Sequence, residues 1–257
     1  MKYVHDFQEN AQERATVLAL HGSASTGKQW RALSDLLEDK ANVIAPDLPG
    51  YGAAKDDLSD RLVTLLNMIS RINEPVHIVA HSFGGAVALR LLDLLPDAVA
   101  SLTLYDPLVV RNGVLPPKLS SIWHSYGAAE PDALLRGFLN FWGGDGTWEA
   151  LTEMQRERLT VHVPSLRRDF HEIESGFWDL RDGSFSGPIT TLWGGNSPKS
   201  TVEMARVLQS AYPQSQHFVL QDLGHLSPLS DAQTVGEHMA ACLQQQFKNN
   251  GLPACAA

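Results

Sequence analysis

Cysteine is nearly missing from this chain: two stand among 257 residues, Cys242 and Cys255. One falls in a predicted helix and the other near the end, so no disulfide framework is expected. Long apolar runs are missing too. No stretch approaches the ~18 residues that a membrane-spanning helix needs. The opening residues, MKYVHDFQEN, carry neither a basic run nor an apolar core, so no secretory signal is expected. Basic charge is scarce: 20 Lys and Arg stand against 29 Asp and Glu, a formal net charge of −9. That balance disfavours nucleic acid and anionic membrane surfaces as partners. No internal repeat or low-complexity tract is present. The expected compartment is the cytoplasm. Nothing in the sequence speaks to oligomeric state.

What is present is ordinary globular content, 44% hydrophobic and 19% charged. The length suits one large α/β domain with an insertion. Short apolar runs read as strands at Tyr3–Phe7, Ala15–Leu20, Asn42–Ala45, Val76–Ala80, Ser101–Tyr105, Ile189–Trp193 and His217–Leu220. Between them, apolar residues recur at helical spacing: Trp30, Leu33 and Leu37; Leu62, Leu65 and Ile69; Val202 to Tyr212; Val235, Met239 and Leu243. Such alternation predicts a mainly parallel sheet covered on both faces. It breaks between Leu108 and Gly187, where aromatic residues and Leu predominate and no strand-like run occurs. Residues 1–107 and 188–250 are therefore expected to form the core. Residues 108–187 are expected to form a helical cap, and 251–257 a disordered tail.

Chemistry-bearing residues sit at the strand ends, where open parallel sheets bind ligands. Ala80-His81-Ser82-Phe83-Gly84-Gly85 joins a strand directly to a helix. Ser82 then occupies the apex of a tight bend, as in a nucleophile elbow. A Ser that merely caps a helix would read the same on this pentapeptide. A serine hydroxyl needs a base, and the base needs a carboxylate. His225, after the last strand in a Gly- and Pro-bounded loop, is the best-placed base. His81 precedes the apex and is badly directed, so it reads as packing. His21 reads as a structural hydrogen-bonding residue. The oxyanion donors would be the N–H of Phe83 and the N–H of Ser23, the latter in the small-residue loop Gly22-Ser23-Ala24.

Four segments together resemble the α/β-hydrolase fold superfamily. They are His21-Gly22, Pro46-Asp47-Leu48-Pro49-Gly50-Tyr51-Gly52, Ala80 to Gly85, and Gly224-His225. The resemblance implies an eight-stranded sheet with a cap after the sixth strand, and a triad of Ser82, an acid and His225. The single short element before Thr16 leaves little room for the family's first two strands. Members often carry Asp after the seventh strand, but Gly194-Gly195-Asn196-Ser197-Pro198 has Ser197 there. Asp106, after the sixth strand in Leu104-Tyr105-Asp106-Pro107, is the substitute acid. The chain is similar in this to a group of small serine hydrolases and esterases, which also share the stretch Phe141 to Trp148. The implied activity is hydrolysis of a carboxylic ester through an acyl-enzyme, without metal or organic cofactor, and the aromatic residues of the insertion suggest that this small-molecule ester is apolar. The same triad would also serve C–C bond, thioester or lactone hydrolysis, or lyase chemistry. A non-catalytic binding protein on a hydrolase scaffold is the reading from another class.

Overall fold

The computed structural model describes residues 14–115, 117–126, 128, 130–181 and 185–249. The predicted strand at Tyr3–Phe7 and the tail 251–257 lie outside them. The chain opens with β1 (Ala15–Leu20), α1 (Arg31–Leu36), β2 (Ala41–Ile44), α2 (Arg61–Ile69) and β3 (Val76–His81). Then come α3 (Phe83–Leu94) and β4 (Val99–Tyr105). Four helices follow without an intervening named strand: α4 (Pro117–Tyr126), α5 (Pro131–Gly143), α6 (Glu153–Thr160) and α7 (Val163–Glu174). The alternation resumes with β5 (Ile189–Gly194), α8 (Ser200–Ala211), β6 (Gln216–Leu220), α9 (Ser227–Ser230) and α10 (Ala232–Asn249).

The strands form one sheet in the order β2-β1-β3-β4-β5-β6, parallel throughout. Among the described residues it has six strands, and the resemblance implied eight with little room for the first two. Residues 1–13, ahead of Ala15, lie outside the described residues. Chain order reverses between β1 and β3. A crevice opens at the carboxyl end of the sheet at such a reversal, because the flanking connections leave in opposite directions. Leu20 pairs with Ala80, and His81 with Tyr105. His21, Ser82 and Asp106 therefore leave three adjacent strands at one edge.

Burial follows the strand period of two. Along β1, Leu18 and Leu20 join a cluster with α2, α3, α8 and the inserted helices. Val17 and Ala19 face the other way, toward Trp30, Leu33, Val235 and Met239 of the α1 and α10 layer. With both faces covered, β1 and β3 are buried along their whole length, which explains their continuous apolar sequence. No helix among the described residues is long and apolar enough to cross a membrane.

Candidate active site

The bend at Ser82 is the most constrained backbone in the sheet's crevice. Ser82 has φ 51° and ψ −123°, a conformation that L-residues rarely adopt. Its amide donates to the Tyr105 carbonyl at 3.2 Å, and its carbonyl accepts from Gly85 and Leu108, both at 2.8 Å. The flanking residues must be small. A Cβ on Gly84 would stand 2.6 Å from the carbonyl oxygens of Leu20 and His21. A Cβ on Gly85 would stand 2.5 Å from the Pro107 ring. Ala80 tolerates its methyl because the side chain is packed in the core.

The elbow brings together residues 143 positions apart. His225 Nε2 lies 2.9 Å from Ser82 Oγ. His225 Nδ1 lies 3.3 Å from Asp106 Oδ2. A carboxylate facing Nδ1 requires the proton on that nitrogen, which leaves Nε2 free to accept from the serine. Asp106 sits at the turn after β4 with φ 40° and is wholly buried. Its Oδ1 accepts the Gly194 amide at 3.0 Å, and Ser197 Oγ donates to Oδ2. So the serine found where a carboxylate was expected is bonded to the carboxylate that faces His225.

Residues 17–237 match the alpha/beta hydrolase family. This chain belongs to that family. Among curated proteins, the chain is similar to the dihydrolipoyllysine-residue acetyltransferase component of an acetoin cleaving system from Pseudomonas putida. The two are 26% identical over 251 residues, 93% of this chain and 66% of the relative. It is also similar to Lipase LipV from Mycobacterium tuberculosis, 38% identical over 104 residues, 38% of this chain and 40% of the relative. The chain thus covers less than two-thirds of the length of either. Among solved structures, a thermophilic esterase from Thermogutta terrifontis superimposes with a TM-score of 0.63 at 22% identity, covering 90% of each chain.

In this alpha/beta hydrolase the remaining predicted residues flank the elbow. Gly22 lies against it: a Cβ there would be 3.1 Å from Ser82 Cβ. That sets the loop carrying Ser23 against the elbow. Phe83 opens α3, where N–H groups have no intrahelical acceptor. His21 is structural. Its Nε2 accepts the Leu48 amide at 2.9 Å, so Nδ1 carries the proton that reaches the Gly22 carbonyl at 2.8 Å. Burial lowers its pKa to about 4 and keeps it neutral. His81 does more than pack, since its Nε2 donates to the His225 carbonyl at 2.9 Å and fixes the base's backbone. Asp47 braces its own turn by accepting the amides of Gly27 and Ala53.

Two features escape sequence reasoning. Trp142, near the end of α5, stacks on the His225 ring with centroids 3.7 Å apart and planes 19° from parallel. The aromatic-rich insertion gave no sign of which ring would cover the base. A cavity of ≈ 610 Å³ is lined by Trp142 and Ser197, with Phe141, Pro198 and Lys199; Ser82 is not in its lining. The second feature is a buried ion cluster of Arg61, Asp169 and Glu172. Its only sequence signal is the spacing of Ser165, Asp169 and Glu172, which puts three polar side chains on one face of α7.

Proposed function

We propose that this chain is a serine hydrolase that cleaves small, apolar carboxylic esters through an acyl-enzyme. The observation that carries the reading is the unbroken chain from Ser82 Oγ through His225 to Asp106. Ser82 attacks the ester carbonyl as its proton passes to His225 Nε2. The N–H groups of Ser23 and Phe83 receive the charge that develops on the carbonyl oxygen. Asp106 stabilises the imidazolium, which then protonates the leaving alkoxide. Water activated by the same histidine releases the acid. A serine at the elbow suits acyl transfer, and a lipase stands among the relatives. The inserted helices α4 to α7 act as a cap over the sheet core, with Trp142 closing over His225. A free thiol at Cys242 fits the cytoplasm.

The test is a panel of p-nitrophenyl esters of graded acyl length, with a fluorophosphonate probe. The wild type should turn over short to medium esters and be labelled at Ser82. Ser82→Ala should lose both, with kcat down by on the order of 10⁶. An unlabelled wild type would favour a binding protein on this scaffold. Full turnover in Ser82→Ala would end the proposal.

A further inference from the structure

Both proposed oxyanion donors are braced by one buried cluster whose anions belong to a single cap helix. Ser23 Oγ donates to Asp169 Oδ2 at 2.6 Å. The Tyr51 hydroxyl donates to the same oxygen. Asp169 Oδ1 forms an ion pair with Arg61 Nη2 at 2.7 Å, both side chains being essentially inaccessible. Arg61 sits at the start of α2. Its Nη1 reaches Glu172 Oε2 at 2.8 Å, and its Nε donates to the Pro49 carbonyl at 3.0 Å. The guanidinium carbon lies 5.2 Å from the Phe83 ring centroid and 5.6 Å from that of Tyr51. Phe83 also meets Trp178 edge-on at 5.5 Å, and the Trp178 indole N–H donates to Glu172 at 3.0 Å. Ser165, one turn before Asp169, donates to the Gly50 carbonyl at 2.5 Å.

Taking such charges out of water is costly, and a buried ion pair seldom repays the cost in stability. What this one supplies is geometry. From α7, Asp169 holds the Ser23 side chain, and Glu172 holds Arg61 and Trp178, the two side chains that pack on the Phe83 ring. An oxyanion hole acts only when its donors are preset, and a displacement of ~1 Å costs on the order of 10²-fold in rate.

We propose that Asp169 and Arg61 are positioning residues for the oxyanion hole, so that docking of cap helix α7 assembles the hole beside Ser82. This rests on the esterase reading above. Because α7 carries the anion, the core alone presents a loose Ser23 loop, and catalytic competence follows cap docking.

The experiment compares wild type, Ser23→Ala, Asp169→Asn and the double variant. Ser23→Ala keeps the backbone donor and removes only the hydroxyl that Asp169 holds. The readouts are kcat and KM on an aryl ester, inhibition by a trifluoromethyl ketone, and melting temperature. A trifluoromethyl ketone forms a tetrahedral adduct whose oxyanion fills the hole. Each single variant should lose ~10- to 100-fold in kcat with KM within about threefold. Ketone affinity should fall in parallel with kcat/KM. The double variant should be no worse than the poorer single one, because the two act through one hydrogen bond. Single variants with wild-type kcat overturn the proposal, as do multiplying losses or ketone affinity that stays unchanged. If Asp169→Asn does not fold, Ser23→Ala alone decides on the same criteria. A wild type without ester turnover or Ser82 labelling would instead sink the esterase reading. Active wild type with indifferent variants sinks only the cap-assembled hole.

Discussion

Asp106 Oδ2 is shared between two donors, Ser197 Oγ and His225 Nδ1. The histidine contact, at 3.3 Å, is the longer, so the serine holds the carboxylate more tightly than the base it serves. Such contacts tighten as the imidazole gains charge in the transition state. Asp106→Asn removes that charge and presents an amide to Nδ1, so kcat should fall by on the order of 10⁴. Ser197→Ala leaves the Gly194 amide on Oδ1 and should cost ~10-fold or less. Ser197→Asp places a second carboxylate beside a buried one. Like charges at that separation raise one of the two pKa values, so this variant should be worse than Ser197→Ala. Steady-state kinetics on one ester separates the three; a near-neutral Asp106→Asn would mean that the acid lies elsewhere. The pairing of Asp106 with His225 was legible from Asp106-Pro107 and Ser197-Pro198 taken together. The bond between Ser197 and Asp106 was not, because no local pattern reports a contact across 91 residues.

Strands and helices around the site were legible for a simple physical reason. β1, β3 and β5 are buried on both faces, so each reads as a mainly apolar run, closed by His21-Gly22, Ser82 and Gly194 respectively. β6 was legible for another reason: it is a short edge strand, half open to solvent, bounded by turn residues. The elbow was legible because its sterics demand small residues at fixed places. The inserted helices were legible as helices but not in their contacts. α7 pairs its polar stripe with loops more than a hundred residues upstream, at Ser23 and Gly50. The joint between β1 and α3 gives a direct test of the elbow's packing. A methyl at Gly84 meets two backbone oxygens of β1's end, which cannot rotate away. Gly84→Ala should push α3 off the sheet, costing about 1–3 kcal/mol of stability. The same shift moves Ser82 relative to Ser23, so kcat should fall at least ~10-fold. Urea unfolding and ester kinetics check the two effects, and a variant with wild-type stability would show that the helix has room to yield.

At the scale of the whole molecule, buried ionisable side chains make stability depend on pH. His21 and His77 are buried with pKa values lowered to about 4, and burial holds His81 well below the ordinary range. In the unfolded chain each titrates near 6.5. Between pH 6.5 and 4 the unfolded state therefore binds more protons, and stability falls as pH drops through that window. Asp169 acts the other way. Burial raises its pKa to about 6, against the pull of Arg61 and two hydroxyls. Its native carboxyl takes up a proton between pH 6 and 4 that the unfolded chain does not, so acid favours the native state at that residue. Three imidazoles outweigh one carboxyl. By pH 5 His21 and His77 each cost about 2 kcal/mol, His81 acts in the same direction, and Asp169 returns about 1. The urea midpoint should accordingly be lower at pH 5 than at pH 7, with the slope m unchanged. In Asp169→Asn the returning contribution is gone, so the drop from pH 7 to pH 5 should be steeper than in the wild type. An equal or shallower drop would mean that Asp169 is already ionised at pH 5, with Arg61 and the hydroxyls of Ser23 and Tyr51 prevailing over burial.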